Sequence, residues 1–421
     1  MKLNQLKNKK ILILGFGKEG KDTFLFLRRL FPKKVIGIAD RNEKVKSQKS
    51  KIKNIKWHLG ENYLKALKNY DVIIKSPGIP FKILPRTVLN KITTQTEIFF
   101  DNCPGEIVGI TGTKGKSTTT ALIYQILKEG GLKAHLVGNI GRPVLNLLSP
   151  ATAKDIYVYE LSSHQLFGLK KSPHIAVFLN IYPEHLDYYK NFQEYFRAKQ
   201  NIALHQTQED YFIYNSGNEL VRKVAKKTKA KIIAVKGKYY ELDKNAARAV
   251  GKLFKVPQKT ILKAIKEFKP LPHRLELVGT FKGITFYNDA LSTIPETAIL
   301  ATEALGKRVQ TIFLGGFDRK INFNKLAKSI LQNKNIKNLI LFPTTGQKIW
   351  QTVIEQARGR GVPEHFFVDN MADAVKLAYQ HTQKGKICLL SCASTSFSIF
   401  RDYKEKGNLF KKYVRKLAKI S

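Results

Sequence analysis

Short apolar runs rich in β-branched residues alternate along the chain with longer stretches of helical periodicity, and most runs end in a polar or glycine-bearing loop. The first group opens "KKILILGFGKEGKDTFLFLRRL", which predicts a strand over Ile11 to Phe16, a glycine turn and a helix, and continues through "KVIGIAD" and "DVIIKSPGIP". A second begins "GEIVGITGTKGKSTTTALIYQIL" and runs through "DIYVYELSS" and "HIAVFLNIYPEHLD". A third follows "LPHRLE" and carries "RVQTIFLGGFD", "IKNLILF" and "GKICLLSCAS". Strands alternating with helices in this way predict α/β layers around mainly parallel sheets. The groups place three domains at 1–92, 93–273 and 274–421.

The chain's 421 residues suit two or three domains of ordinary size. No apolar run reaches bilayer length, and Ile11 to Phe16 is too short for a signal-peptide core, so a cytoplasmic protein with no membrane partner is expected. Cys103, Cys388 and Cys392 form neither an even framework nor a metal-ligand spacing. The formal charge of +42 would suit a nucleic-acid binder. The lysines, however, are spread through every segment, with local concentrations only at Lys44 to Lys56 and in "KKYVRKLAK". That distribution reads as a solvated surface, and no dedicated nucleic-acid partner is expected.

Gly15, Gly17 and Gly20 form a G-x-G-x-x-G between strand and helix, with Asp40 closing the next strand. Such glycines bring backbone close to a diphosphate at a helix N-terminus, and the acid suits ribose hydroxyls. The pattern fits NAD or a UDP-sugar equally, so it identifies a diphosphate rather than a cofactor. "GITGTKGKSTTT" is a phosphate loop whose usual first glycine is replaced by Ile110. Gly112 and Gly115 free its backbone, Lys116 offers charge to phosphate oxygens, and Ser117 can ligate Mg²⁺ where a helix Ser117 to Lys128 begins. ATP binding follows. Glu160 ends the strand of "YELSSHQL"; alone it would pass for a solvated acid, but beside a phosphate loop it can supply a metal with oxygen. His185 and Asp187 lie in the loop of "EHLD", with Lys199 on the helix beyond.

Taken together, "GITGTKGKSTTT", "YELSSHQL", "GNIG", "EHLDYY…FRAK", "LPHRLE" and "FYNDALSTIPET" resemble the Mur ligase family in order and over nearly the whole chain. "ELSSHQL" and "KSPGIP" are most similar to the branch that adds glutamate to UDP-N-acetylmuramoyl-L-alanine. The resemblance implies a Rossmann-like N-terminal domain, a central P-loop ATPase and a Rossmann-like C-terminal domain. It assigns Gly15, Phe16, Gly17, Asp40, Arg41, Ser76, Pro77 and Gly78 to the UDP precursor, and Asn139 and Ser162 to the substrate. Gly112, Thr113, Lys114, Gly115, Lys116, Ser117, Thr118, Asn245, Arg274 and Asp289 would hold ATP. Ser117, Glu160 and His185 would bind Mg²⁺, and Lys199 would be the family's carbamylated lysine, whose anionic oxygens compensate the metal charge. Lys116, His185 and Lys199 would be the catalytic set, and Arg319, Ser396 and Tyr403 would grip glutamate. Leu291 stands where many members of the branch have lysine, and "STIPE" is similar to a group that adds L-glutamate.

The implied chemistry is ATP-dependent amide ligation through an acyl phosphate, with D-glutamate as the acceptor, in peptidoglycan precursor synthesis, by a monomer. L-glutamate, or a different ligation of the Mur or folylpolyglutamate type, is the alternative within the class. An NAD-dependent dehydrogenase and a nucleic-acid-binding protein are the alternatives outside it.

Overall fold

The computed structural model describes residues 1–45, 53–185 and 188–419. The chain divides into two compact units, Met1–Phe268 and Lys269–Ser421. The first unit begins with β1 (Ile11–Leu14), α1 (Lys18–Leu30), β2 (Ile36–Asp40), β3 (Ile55–Leu59), β4 (Val72–Lys75), β5 (Ile92–Thr94) and α2 (Gln95–Asn102). Its five strands form a parallel sheet in the order β3-β2-β1-β4-β5. All four residues of β1 are fully buried, as its unbroken Ile-Leu-Ile-Leu run predicts for a central parallel strand. Strand order reverses between β1 and β4, which opens a crevice beyond their C-terminal ends.

The unit continues with β6 (Glu106–Thr111), α3 (Lys116–Glu129), β7 (Ala134–Gly138), β8 (Ile156–Glu160), α4 (Ser163–Leu166), β9 (Ile175–Phe178), α5 (Phe192–Gln200), β10 (Tyr211–Asn215), α6 (Glu219–Ala225), β11 (Lys231–Val235), α7 (Tyr240–Leu253) and α8 (Gln258–Glu267). These strands make a second parallel sheet, β11-β10-β9-β6-β8-β7. One apolar core runs through both sheets. Phe99 on α2 meets Tyr157 and Tyr159 of β8 edge to face, at 5.0 and 6.0 Å between ring centres, and so fastens the first sheet's last helix to the second sheet.

The second unit holds β12 (Glu276–Phe281), β13 (Ile284–Asn288), α9 (Pro295–Leu305), β14 (Val309–Gly315), α10 (Asn324–Gln332), β15 (Asn338–Phe342), α11 (Thr345–Ala357), β16 (Glu364–Phe367), α12 (Met371–His381), β17 (Ile387–Leu390) and α13 (Tyr403–Ala418). Its sheet runs β12-β13-β17-β14-β15-β16, parallel except for the β12–β13 hairpin. The hairpin turns on Lys282 and Gly283, both with positive φ (49° and 80°), the handedness that matches the twist of paired strands. Phe286, Phe313, Phe342 and Phe410 fill the core between this sheet and its helices. Mixed α/β layers on three mainly parallel sheets are therefore what the chain forms. Among the described residues no helix is long and apolar enough to cross a membrane.

Candidate active site

The phosphate-type loop leaves β6 at Thr111 and enters α3 at Lys116, one residue earlier than the sequence suggests. Gly115 has φ +84°, and a Cβ there would stand 2.5 Å from Asp243 Oδ1, so this position admits only glycine. The Asp243 carboxylate, buried on α7, also accepts from Thr119 Oγ1 at 2.9 Å and locks α7 against the start of α3. Asn180 braces the other side. Its Oδ1 accepts from the Lys114 N–H at 2.8 Å and its Nδ2 donates to the Lys114 carbonyl at 3.0 Å. Lys116 Nζ folds back over the loop, 3.0 Å from Gly112 O and 2.9 Å from Thr113 O. A helix N-terminus with a fixed glycine turn and a lysine is a ready anion site.

Charged groups from three further elements converge behind the loop. Lys199, on α5, is 2% exposed, and its Nζ donates to Gly112 O at 2.8 Å and Thr111 Oγ1 at 3.3 Å. Burial, reinforced by the Lys116 charge, pushes this amine well below the usual lysine range and favours its neutral form. Glu160, at the end of β8, is 3% exposed, and among the described residues its Oε2 has no hydrogen-bond partner. Both side chains are thus buried rather than solvated. Burial raises the pKa of Glu184, but Lys114 (3.1 Å away), His185 and Lys116 outweigh it and leave the carboxyl at about 2. His185 is lowered to about 4, mainly by burial, with Lys199 and Lys116 adding to the effect and Glu184 opposing it. At neutral pH its imidazole is uncharged and can offer a nitrogen lone pair. Asp187 lies outside the described residues.

The residues that the resemblance assigns to the UDP precursor gather at the crevice of the first sheet. Gly20 admits no side chain, because a Cβ would lie 2.1 Å from Gly15 O. Asp40 accepts from the Phe16 N–H at 2.7 Å through Oδ2 and from the Asn42 N–H at 2.8 Å through Oδ1, so it shapes the loop itself. Phe16 turns its ring into the core against Phe24 and Trp57. Ser76 Oγ donates to Gly15 O at 2.8 Å and ties the Ser76–Pro77–Gly78 turn to the glycine loop. Gly17, Arg41 and Gly78 are exposed there.

Asn139 is exposed after β7, with its N–H on Glu160 O at 3.3 Å, and Ser162 caps α4. Asn245 lies on α7, two residues beyond Asp243, with its amide bound to Lys236 O. In the second unit Asp289 is buried. It accepts from the Leu275 N–H at 3.1 Å and Ser391 Oγ at 2.9 Å, which fixes the segment carrying Arg274. Arg319 is half-buried in the loop after β14; Ser396 is buried with an unpartnered Oγ; Tyr403 opens α13. Sequence reasoning missed Asn180, Asp243 and the Lys114–Glu184 pair, whose partners are remote in the chain.

The donor set fits magnesium. Among the described residues no three His, Cys, Asp or Glu side chains form a closed metal cage. What the site offers is the Ser117 hydroxyl and an orphaned Glu160 oxygen beside a phosphate loop, the sparse hard-oxygen set Mg²⁺ takes when phosphates and waters complete its shell.

Residues 110–284 match the Mur ligase middle domain family. A UDP-N-acetylmuramoylalanine–D-glutamate ligase of Acetivibrio thermocellus is 32% identical, over 98% of this chain and 97% of its own. The enzyme of that name from Clostridium acetobutylicum is also 32% identical, with the same coverage. Among solved structures, the UDP-N-acetylmuramate-alanine ligase of Thermotoga maritima superposes with a TM-score of 0.58 at 15% identity, over 98% of this chain and 100% of that one. The MurF ligase of Thermotoga maritima, solved with ADP, gives 0.58 at 16% identity, over 99% and 97%. At such identities the structures speak for the fold alone.

Proposed function

The chain belongs to the Mur ligase family, and from that premise we propose that it joins D-glutamate to UDP-N-acetylmuramoyl-L-alanine with ATP, in the cytoplasmic assembly of peptidoglycan precursors. The observation that supports this most is the convergence of Lys116, Lys199, Glu160 and His185 on one phosphate-type loop, in a chain that aligns end to end with ligases of that name.

A carboxylate is a poor electrophile, so activation precedes amide formation. An oxygen of the alanyl carboxylate attacks the γ-phosphorus, the bond to the β-phosphate oxygen breaks, and ADP leaves. The glutamate amine then adds to the acyl carbon, loses a proton, and inorganic phosphate departs with the electron pair of the C–O bond. In this reading the α3 N-terminus and Lys116 hold the phosphates and offset charge on the phosphoryl group in transfer. Bound Mg²⁺ would add Lewis-acid stabilisation of the same oxygens, held through Ser117 and Glu160, with His185 at a second ion.

Lys199 is suited to carbamylation, because a buried neutral amine is the form that captures CO₂. Its carbamate would put an anion where the free amine offers the metals no compensating charge. Domain roles follow the three sheets: 1–92 for the UDP precursor, with the Gly15–Gly20 and Ser76–Gly78 loops on its diphosphate, 93–273 for ATP, and 274–421, through Arg319, Ser396 and Tyr403, for the amino acid. Asn139 and Ser162 would face the donor, and Asn245, Arg274 and Asp289 the nucleotide.

Phosphate release with UDP-N-acetylmuramoyl-L-alanine and a panel of amino acids tests the reading. Release that requires both the UDP compound and D-glutamate is expected. Release with L-glutamate alone would reassign the acceptor, and release indifferent to the UDP compound would refute the reading.

A further inference from the structure

Two parts of the first unit assigned to different ligands are joined through one tyrosine. The Tyr188 hydroxyl lies 3.0 Å from the carbonyl oxygen of Pro77 and 3.0 Å from that of Ile79, on the turn that carries Ser76 to Gly78. The Tyr188 N–H donates to the His185 carbonyl at 3.0 Å, which ties the backbone of Tyr188 to that of His185. The same side chain therefore has its hydroxyl on the donor turn and its backbone in the metal loop.

The turn is otherwise held from its own sheet. Lys75 Nζ, on a side chain 1% exposed, donates to Ser76 O at 3.1 Å and Ile79 O at 2.9 Å. Ile79 O thus takes one donor from β4 and one from the His185 loop, so the turn's position and the loop's position depend on each other. A second tie joins the same two parts of the unit: Gln165 Nε2 donates to Glu19 Oε1 at 2.7 Å, between α4 and the start of α1. The Tyr188 ring packs edge-on to His164 at 4.2 Å and against Tyr189 at 4.9 Å, so the ring has a packing role separate from the two carbonyl contacts of the hydroxyl.

We propose that the Tyr188 hydroxyl is a positioning group that couples filling of the donor's diphosphate turn to the placement of His185, so that donor and metal–nucleotide strengthen each other's binding. The inference rests on the assignment of these two loops given above. Coupling of this kind is reciprocal, and typical values are about 5- to 150-fold in affinity. Removing one hydroxyl removes the link while leaving the aromatic packing.

The test uses the full chain and Tyr188→Phe. Calorimetry gives the affinity for UDP-N-acetylmuramoyl-L-alanine with and without Mg²⁺ and ADP, a mixture in which no turnover occurs. The wild type should bind the donor at least about 5-fold more tightly with Mg²⁺–ADP present. In the variant the factor should fall to within about 2-fold of unity, with Mg²⁺–ADP binding in the absence of donor unchanged and a melting temperature within a few degrees of wild type. A variant that keeps the wild-type factor overturns the proposal, as does a wild type without coupling. Equal weakening of donor and Mg²⁺–ADP measured separately would mark a purely structural tyrosine and also overturn it. A wild type that binds Mg²⁺–ADP but no donor refutes the functional reading instead, and this inference with it.

Discussion

Lys199 Nζ donates to the carbonyl oxygen of Gly112 at 2.8 Å, so a buried amine closes the back of the loop that leads into α3. The contact places a group of alterable charge against the backbone that would wrap phosphate. Burial and the nearby Lys116 charge hold it toward neutrality.

Lys199 should therefore respond to carbon dioxide. Enzyme equilibrated in CO₂-free buffer is expected to lose most of its activity and to regain it on addition of bicarbonate, whereas Lys199→Ala is inactive in both. Steady-state rates with and without bicarbonate decide this, and a wild type insensitive to CO₂ removal would exclude the carbamate.

Lys116→Ala should lower kcat by roughly 10²- to 10³-fold, the usual cost of losing one preorganised donor to transition-state charge. The KM for glutamate should change little, because the proposed role of Lys116 is on the phosphates. A loss confined to the KM for glutamate would contradict that placement.

Glu160→Gln separates binding from folding. Among the described residues the buried Oε2 has no partner to lose, so the melting temperature should hold or rise, while the Mg²⁺ concentration for half-maximal rate should increase by about tenfold or more. An unchanged magnesium dependence would remove Glu160 from the metal site.

Glu19 and Lys75 should leave opposite slopes in the pH dependence of stability. Burial raises the Glu19 carboxyl to about 7 and lowers the Lys75 amine to about 8. Between pH 4.5 and 7 the folded chain holds a proton on Glu19 that the unfolded chain has lost, so stability falls as pH rises through that window. Between pH 8 and 10.5 the unfolded chain holds a proton on Lys75 that the folded chain lacks, so stability rises with pH. Glu19→Gln keeps the carbonyl that Gln165 donates to. It should flatten the acid-side slope, worth about 3 kcal/mol across the window, in denaturant titrations at stepped pH.

Much of this arrangement was legible in the chain. The unbroken apolar runs at Ile11–Leu14 and Ile156 to Tyr159 predicted buried parallel strands, and the glycines with Lys116 predicted the loop because its backbone at Gly115 takes a left-handed φ that favours glycine. The environment of Glu160 and Lys199 was not legible, since a charged residue at a strand end or on a helix carries no local sign of burial. Asn180 and Asp243 escaped for a related reason: they brace Lys114 and Thr119 across long chain separations, and their own neighbours in sequence give no hint of it. The Lys282–Gly283 turn could have been found, because a glycine-bearing pair between "LVGTF" and "ITFYN" is a hairpin signal.

The account depends on transfer of the terminal phosphoryl group of ATP to a carboxylate oxygen of the donor. Turnover of UDP-N-acetylmuramoyl-L-alanine carrying ¹⁸O in its alanyl carboxylate, with D-glutamate and unlabelled ATP, measures that transfer directly by mass analysis of the released phosphate. One donor oxygen in each phosphate is the predicted result. Phosphate free of the label, released alongside amide product, would contradict it.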